Sequence, residues 1–430
     1  MSTHTESIEI KPLVRPPDHT VSVPGSKSLS NRALPVAALA EGRSVLSHAL
    51  FSDDTRYMAG ALQQLGIGVS ADEEGERFEV EGACGRIPAT AADLFIGNSG
   101  TAARFLTSCV ALGRGRYRID GVPRMRQRPI QPLLDALSHL GVRAYSESGA
   151  GCPPVIVEAT GIPGGSTRLS GSISSQYLTA LLLAGPYMRD GLDVEIDGEL
   201  VSRPYVDLTI GLMRDFGVEV EEDAHRGRFR VGAGQRYLPR DYAIEPDASN
   251  ASYFFAAAAV TGGRVRVQGL SARSRQGDVH FVGVLERMGC VVRWEPEAIE
   301  VRGPERLRGI DVDLNEMPDT AQTLAAIAPF ATGPVRVRGI AHNRAKETDR
   351  IGAVVTELQR LGVRAEEHED GLNIYPSEVQ PGEVETYDDH RMAMSFAVTG
   401  LAASGIRIKD PDCVNKTFPT FFEKLAELRS

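Results

Sequence analysis

No two cysteines of this chain stand in a CxxC spacing. Cys84, Cys109, Cys152, Cys290 and Cys413 are odd in number and widely scattered. Neither a zinc cluster nor a disulfide framework is therefore indicated, and free thiols in a reducing cytoplasm are expected. Long apolar runs are missing too. Stretches such as YLTALLLAGPYM and YFFAAAAVTGG are too short and too interrupted to span a bilayer, and read as buried helices. MSTHTESIEIKPLVRPPDH has no apolar h-region, so secretion is not expected. Cationic excess is absent: the formal net charge is −10, which argues against a nucleic-acid coat but leaves room for a local basic pocket for a small anion. The phosphate fingerprints GxxxxGK[ST] and GxGxxG do not occur either.

What is present is a long internal repeat. A chain of 430 residues, 42% hydrophobic and 24% charged, has ordinary globular composition and is too long for one core, so two domains are expected. A glycine followed by a β-type run recurs at Gly42, Gly115, Gly191, Gly263, Gly333 and Gly405, with a spacing of about 72 residues. Five copies then carry a helical stretch that ends in a glycine turn, at Gly66, Gly141, Gly217, Gly289 and Gly362. The turn glycine lets the chain stop a helix and re-enter a strand. From periodicity, each copy reads as strand, helix, strand, strand and a second helix, as in RYRID, LLDALSHLG, VRAYSE and PVIVEAT. Compact α/β domains follow, with six copies dividing into two sets of three. The boundary is expected near residues 238–246, with a second crossing near residues 20–25. This gives one domain of residues 1–24 and 243–430, another of 25–242, and two connections forming a hinge.

The second helix of each copy starts on informative residues. Ser, Thr, Asp and Asn cap exposed N–H groups, and a helix N-terminus favours anions. PGSKSLSNR places Lys27, Ser28 and Arg32 there, and GNSGTAAR brings Asn98 and Gly100. GSISSQYL contributes Ser174, Ser175 and Gln176, MPDTAQT contributes Asp319, and DDHRMAM contributes Asp389, His390 and Arg391. Taken singly, each is equally a capped helix or a tight turn. AHNRAKETDR packs Asn343, Arg344, Lys346, Glu347, Asp349 and Arg350 together. Lys346 and Arg350 share a face if that segment is helical. The equivalent place holds Arg124, Arg126 and Arg128 in the second copy, Ser202, Arg203 and Tyr205 in the third, and Lys416 in the sixth. Different polar residues at equivalent ends of one repeated scaffold point to a shared site.

These segments, with NKTFP, resemble the enolpyruvyl transferases in order and number from about Pro24 to the C-terminus. KETDR and SSQYL favour the branch that acts on shikimate 3-phosphate. The resemblance implies an inside-out α/β barrel fold: two similar domains of three βαβαββ units each, with the site in the cleft between them. It implies transfer of the enolpyruvyl group of phosphoenolpyruvate to the 5-hydroxyl of shikimate 3-phosphate through a tetrahedral adduct, with release of phosphate. By motif, Lys27, Asn98, Gly100, Arg128, Gln176, Arg350, Arg391 and Lys416 are implied for phosphoenolpyruvate. Lys27, Ser28, Arg32, Ser174, Ser175, Gln176, Ser202, Tyr205, Asp319, Asn343 and Lys346 are implied for shikimate 3-phosphate. Asp319 is the expected base at the hydroxyl, Glu347 the proton exchanger at the methylene carbon, and Lys27 an aid to the departing phosphate. No cofactor, metal, nucleic acid or membrane partner is expected. A cytoplasmic monomer inhibited by glyphosate is the implied form, since Gly100 keeps the room associated with that competitor. The sister reaction on UDP-N-acetylglucosamine commonly uses a cysteine in the loop that here reads PRMRQRP, and no cysteine is present there. A non-catalytic sugar-phosphate binder on the same scaffold would explain the helix starts, but not the joint presence of Lys27, Asp319, Glu347 and Lys416.

Overall fold

The computed structural model describes residues 6–223 and 227–429. The chain divides into two units, Met1–Pro24 with Glu245–Ser430, and Gly25–Ile244. The division falls two residues later than the sequence suggested. Ala243 pairs with Ser47 in a strand, and the Ile244 N–H donates to the Ser47 carbonyl at 2.9 Å. Both residues therefore belong to the continuous unit.

In the continuous unit three helices, Lys27–Leu39, Gly100–Val110 and Ser175–Ala184, are buried almost all round. A helix apolar on every side belongs in a core, and the third holds the apolar run YLTALLLA. Three four-stranded sheets accompany them. In the first, Asp241–Ala243 runs parallel to Glu41–Ser47, which is antiparallel to Arg77–Ala83, itself antiparallel to Gly68–Asp72. The other two sheets repeat that pattern around Arg114–Asp120 and Leu192–Asp197.

The discontinuous unit repeats the plan with the buried helices Ala248–Thr261, Ala321–Ile327 and His390–Ala402. Its sheets centre on Arg264–Gln268, Val335–Arg338 and Ile406–Lys409. The first is completed by Asp18–Val21, parallel to Arg264–Gln268, and the third by Ser7–Ile10, antiparallel to Ile406–Lys409. The N-terminal segment thus closes the ring of repeats at both ends. Each unit has its own hydrophobic core. No helix among the described residues is long and apolar enough to cross a membrane.

Periodicity alone missed one element per copy. A short strand precedes each buried helix: Asp18–Val21, Ala91–Phe95, Gly165–Ser170, Asp241–Ala243, Ile310–Asp313 and Gly382–Val384. With it, five copies read βαβαββ; the sixth, whose sheet has three strands among the described residues, takes its third strand from Ser7–Ile10. The glycine turns are where the sequence puts them. At Gly66, φ is +84° and the Ile67 N–H reaches back to the Leu62 carbonyl at 3.0 Å. Equivalent bonds, Val142 to Leu137, Val218 to Met213, Cys290 to Leu285 and Val363 to Leu358, close the other four helices. This is the Schellman closure, which needs a left-handed residue.

Candidate active site

In the discontinuous unit the expected residues meet around Asp319. The carboxylate sits on the 3-10 turn Pro318–Thr320, which leads into the Ala321 helix. Its Oδ1 accepts from Lys346 Nζ at 2.7 Å and Arg350 Nη1 at 3.1 Å, and its Oδ2 from Arg391 Nη2 at 2.8 Å. Lys346 and Arg350 do not share a helical face. Residues Ala341–Ala345 form a 3-10 turn and the helix begins only at Arg350, so both cations converge on one oxygen through the loop.

Arg350 joins the carboxylates together. Its Nε donates to Asp389 Oδ2 at 2.7 Å, and its Nη2 lies 2.9 Å from Glu347 Oε2. Burial works against the charge, but Asp389, Glu347 and Asp319 outweigh it and push the guanidinium pKa above its ordinary value. Glu347 Oε1 lies 4.0 Å from Lys416 Nζ, and both residues are buried. Lys346 is pulled below the usual lysine range by burial, with Asp319 opposing that shift and Arg350 reinforcing it. Arg391 also donates to Tyr253 Oη at 3.2 Å, and burial pushes that phenol up to about 12.

Asn343 lies beside the turn that carries Asp319. It is 0% exposed, and its Nδ2 donates to the Pro318 carbonyl at 2.8 Å. The amide nitrogen thereby holds the turn that carries Asp319. The neighbouring His342 lies within electrostatic reach of Lys346 and Asp319. Burial, then Lys346, push its imidazole down to about 3, so it is neutral at physiological pH. Its small share of the loop gave no signal in the sequence. Asp389 was legible as a helix start, but its pairing with Arg350, across 39 positions of sequence, was not.

In the continuous unit several of the remaining residues stand at the starts of the buried helices. Lys27 and Ser28 open the first helix, and Ser175 and Gln176 the third. Arg128 is buried and donates through Nη1 to Asn98 O at 2.9 Å and Asn98 Oδ1 at 3.2 Å. A Cβ on Gly100 would lie 2.5 Å from Arg128 Nη2. Ser202 takes a left-handed φ of +55° ahead of the Arg203–Asp215 helix, a conformation that costs a non-glycine residue free energy. Arg126 is engaged elsewhere, bidentate on Asp120 at 2.9 and 2.7 Å, and Arg124 donates to Gln127 at 3.2 Å.

Arg32 is 1% exposed and supports its neighbours. It donates to Thr209 Oγ1 at 2.8 Å, the Ser28 carbonyl at 2.8 Å and the Tyr205 carbonyl at 3.2 Å, beside the rings of Phe105 and Tyr205. Among the described residues no carboxylate pairs with it, and burial draws its pKa down to about 10. A buried cation held only by neutral groups favours an anion nearby.

The caps of the buried helices differ in charge between the units. Ser26, Ser99 and Ser174 accept from backbone N–H groups in the continuous unit. Asp247 and Asp389 do so in the other, where Asp319 lies just ahead of the remaining helix. Neutral caps leave the positive helix ends available to anions, whereas carboxylate caps compensate them. Among the described residues, no cluster of three or more His, Cys, Asp or Glu is placed to hold a metal ion.

Comparison with known proteins matches the chain to one family. The profile of EPSP synthase (3-phosphoshikimate 1-carboxyvinyltransferase) covers residues 15–425. The 3-phosphoshikimate 1-carboxyvinyltransferase of Nostoc punctiforme is 52% identical over 423 residues, spanning 98% of this chain and 99% of its own. The chloroplastic protein of that name from Solanum lycopersicum is 50% identical over 423 residues, 94% of this chain and 81% of its own. Among solved structures, EPSP synthase of Acinetobacter baumannii superposes with a TM-score of 0.82 at 26% identity, covering 99% of this chain and 98% of that one. The enolpyruvyl transferase NikO of Streptomyces tendae, at 18% identity and a TM-score of 0.76, shares the fold. The chain belongs to the EPSP synthase (3-phosphoshikimate 1-carboxyvinyltransferase) family.

Proposed function

We propose that two kinds of residue divide one reaction between them: Asp319 and Glu347 move protons, and the cations and helix starts bind the anions. The reaction is that of the family, movement of the enolpyruvyl group from phosphoenolpyruvate to shikimate 3-phosphate with release of phosphate. The observation that carries the division is Asp319, an acid held by three cations, set against the serine-capped helix starts beside Lys27, Arg128 and the buried Arg32.

Arg350, Arg391, Lys416, Lys27 and Arg128 serve the carboxylate and phosphate of phosphoenolpyruvate. Arginine presents paired planar donors to such groups. Ser28, Ser174, Ser175, Gln176, Ser202, Tyr205 and Lys346 serve shikimate 3-phosphate. A phosphoenolpyruvate anion competes with Asp319 for the donors of Arg350 and Arg391. As those contacts shift to substrate, Asp319 is freed to take the 5-hydroxyl proton while that oxygen attacks C2. Glu347 delivers and later removes a proton at the methylene carbon, and the tetrahedral adduct expels phosphate with Lys27 at the departing group. The room at Gly100 suits glyphosate as a competitor of phosphoenolpyruvate. Five free thiols suit a reducing cytoplasm.

Release of phosphate from phosphoenolpyruvate plus shikimate 3-phosphate tests the reading. Release that requires both substrates is expected. Asp319→Ala and Glu347→Gln should each lower kcat by roughly a hundredfold or more, while calorimetric affinity for shikimate 3-phosphate changes far less. Intact binding without phosphate release by the parent protein would sink the proposal. Equal losses of binding and turnover in the variants would remove the assigned roles.

A further inference from the structure

The segment SRQGDVH, which ends at His280, stands in the fourth copy where AHNRAKETDR stands in the fifth, ahead of the helix that begins at Phe281, and is not among the substrate motifs. Its 3-10 turn, Gly277–His280, packs against the turn bearing Asp319 and against the start of the Ala248 helix. Gln276 fixes the second contact. It accepts from the Ala248 N–H at 3.1 Å and donates to the Pro246 carbonyl at 2.7 Å. Asp278 then accepts a short hydrogen bond from Ser249 Oγ. Asp278 is 3% exposed.

The charged groups that face Asp278 come from each element packed on it. Asp247 lies at the start of the Ala248 helix, Asp319 on its turn, and Arg391 on the His390 helix. In its own turn, His280 has its ring near that of Trp294, with centroids 6.5 Å apart. Burial first, and then the Asp319 charge, raise the Asp278 carboxyl to about 6, with Arg391 and the Ser249 bond opposing. Two carboxyls that sense one guanidinium, Asp278 buried and Asp319 half-buried, titrate as a linked pair.

We infer that Asp278 is a positioning residue of the reaction, acting through charge on Asp319 and Arg391 without touching substrate. This rests on the proposed role of Asp319. Lys346, Arg350 and Arg391 stabilise the ionised form of Asp319 and thereby make it a weak base. The Asp278 carboxylate restores basicity by disfavouring a second negative charge beside it. Ser249 keeps Asp278 ionised at working pH, because a hydroxyl donor stabilises the anion.

The test is the pH dependence of kcat in the full-length enzyme and two variants. Asp278→Asn keeps an oxygen for Ser249 and removes the charge. Asp319 then loses proton affinity, so the acid limb should move down by about one pH unit and the plateau should fall several-fold. Ser249→Ala favours the neutral form of Asp278, so Asp319 again loses proton affinity and the acid limb should move down, by less than in Asp278→Asn. Calorimetric affinity for shikimate 3-phosphate should stay within about threefold in both. Acid limbs unchanged from the parent, or moved up in either variant, overturn the inference. If Asp278→Asn does not fold, the direction of the Ser249→Ala limb decides alone. An inactive parent enzyme overturns the proposed function instead, so the two failures are distinguishable.

Discussion

At the scale of single residues, the site is governed by how a few buried charges are shared. Arg350 contacts Asp319, Glu347 and Asp389, so a single guanidinium sets the spacing of three carboxylates. Gly100 does the reverse, by leaving room. In Gly100→Ala the new methyl would stand 2.5 Å from Arg128 Nη2 and 3.1 Å from Arg104 Nη1. Arg128 must shift, and its charge-assisted bonds to an anion weaken. Loss of one such bond, about 1.5–3 kcal/mol, corresponds to roughly a 10- to 100-fold rise in KM for phosphoenolpyruvate. KM for shikimate 3-phosphate should change much less. Steady-state kinetics with each substrate varied in turn checks this, and an equal rise in both constants would count against a local displacement. Residue types and their places in the motifs were legible in the sequence. Their hydrogen-bond partners were not: Asn343 donates to the Pro318 carbonyl, and Arg32 to those of Ser28 and Tyr205. Asp278 gave no signal, because an aspartate in a glycine-containing turn is ordinarily solvated, and only the packing of two turns buries it.

At the scale of elements, the recurring glycine turn was the most legible feature, since a left-handed helix end leaves a glycine at a fixed offset in five copies. The short strand before each buried helix was not legible. Segments such as Asp241–Ala243 and Gly382–Val384 are too brief to display alternation, and exist because a neighbouring strand offers them hydrogen-bond partners. The glycine turn itself can be tested. At Gly66 a Cβ would meet Pro88 Cβ at 2.9 Å with φ at +84°. Gly66→Ala should destabilise the continuous unit by about 1–2 kcal/mol, and Gly66→Asn by less, because Asn tolerates the left-handed region. Thermal denaturation of the two variants against the parent measures the ranking. An alanine variant as stable as the parent would show that the closure is not strained by a side chain.

At the scale of the whole molecule, the sequence suggested an N-terminal segment that belongs with the C-terminal half. The structure gives the reason residue by residue. Ser7–Ile10 pairs with Ile406–Lys409, and the Leu13 N–H donates to the Leu401 carbonyl at 2.9 Å. Ile10 is 5% exposed, and a Cβ on Gly400 would lie 2.6 Å from its own Cβ. Removing residues 1–12 strips a strand from the third sheet of the discontinuous unit and uncovers Ile406 and Ile408. Hydrogen exchange should then show lost protection at Gly382–Val384 and Ile406–Lys409, while the strands between residues 41 and 231 keep theirs. Uniform loss across both units would mean that they do not unfold separately.

The same ring closure sets a timetable for the growing chain. Residues 25–244 hold every strand of their own sheets and can complete them as soon as they clear the ribosome. The segment Ser7–Ile10 has no partner until residue 406 has been made. At the usual elongation rate of about 5–20 residues per second, that is a wait of roughly 20–80 s. For that interval the earliest-made strand of the protein is among its last to find a neighbour.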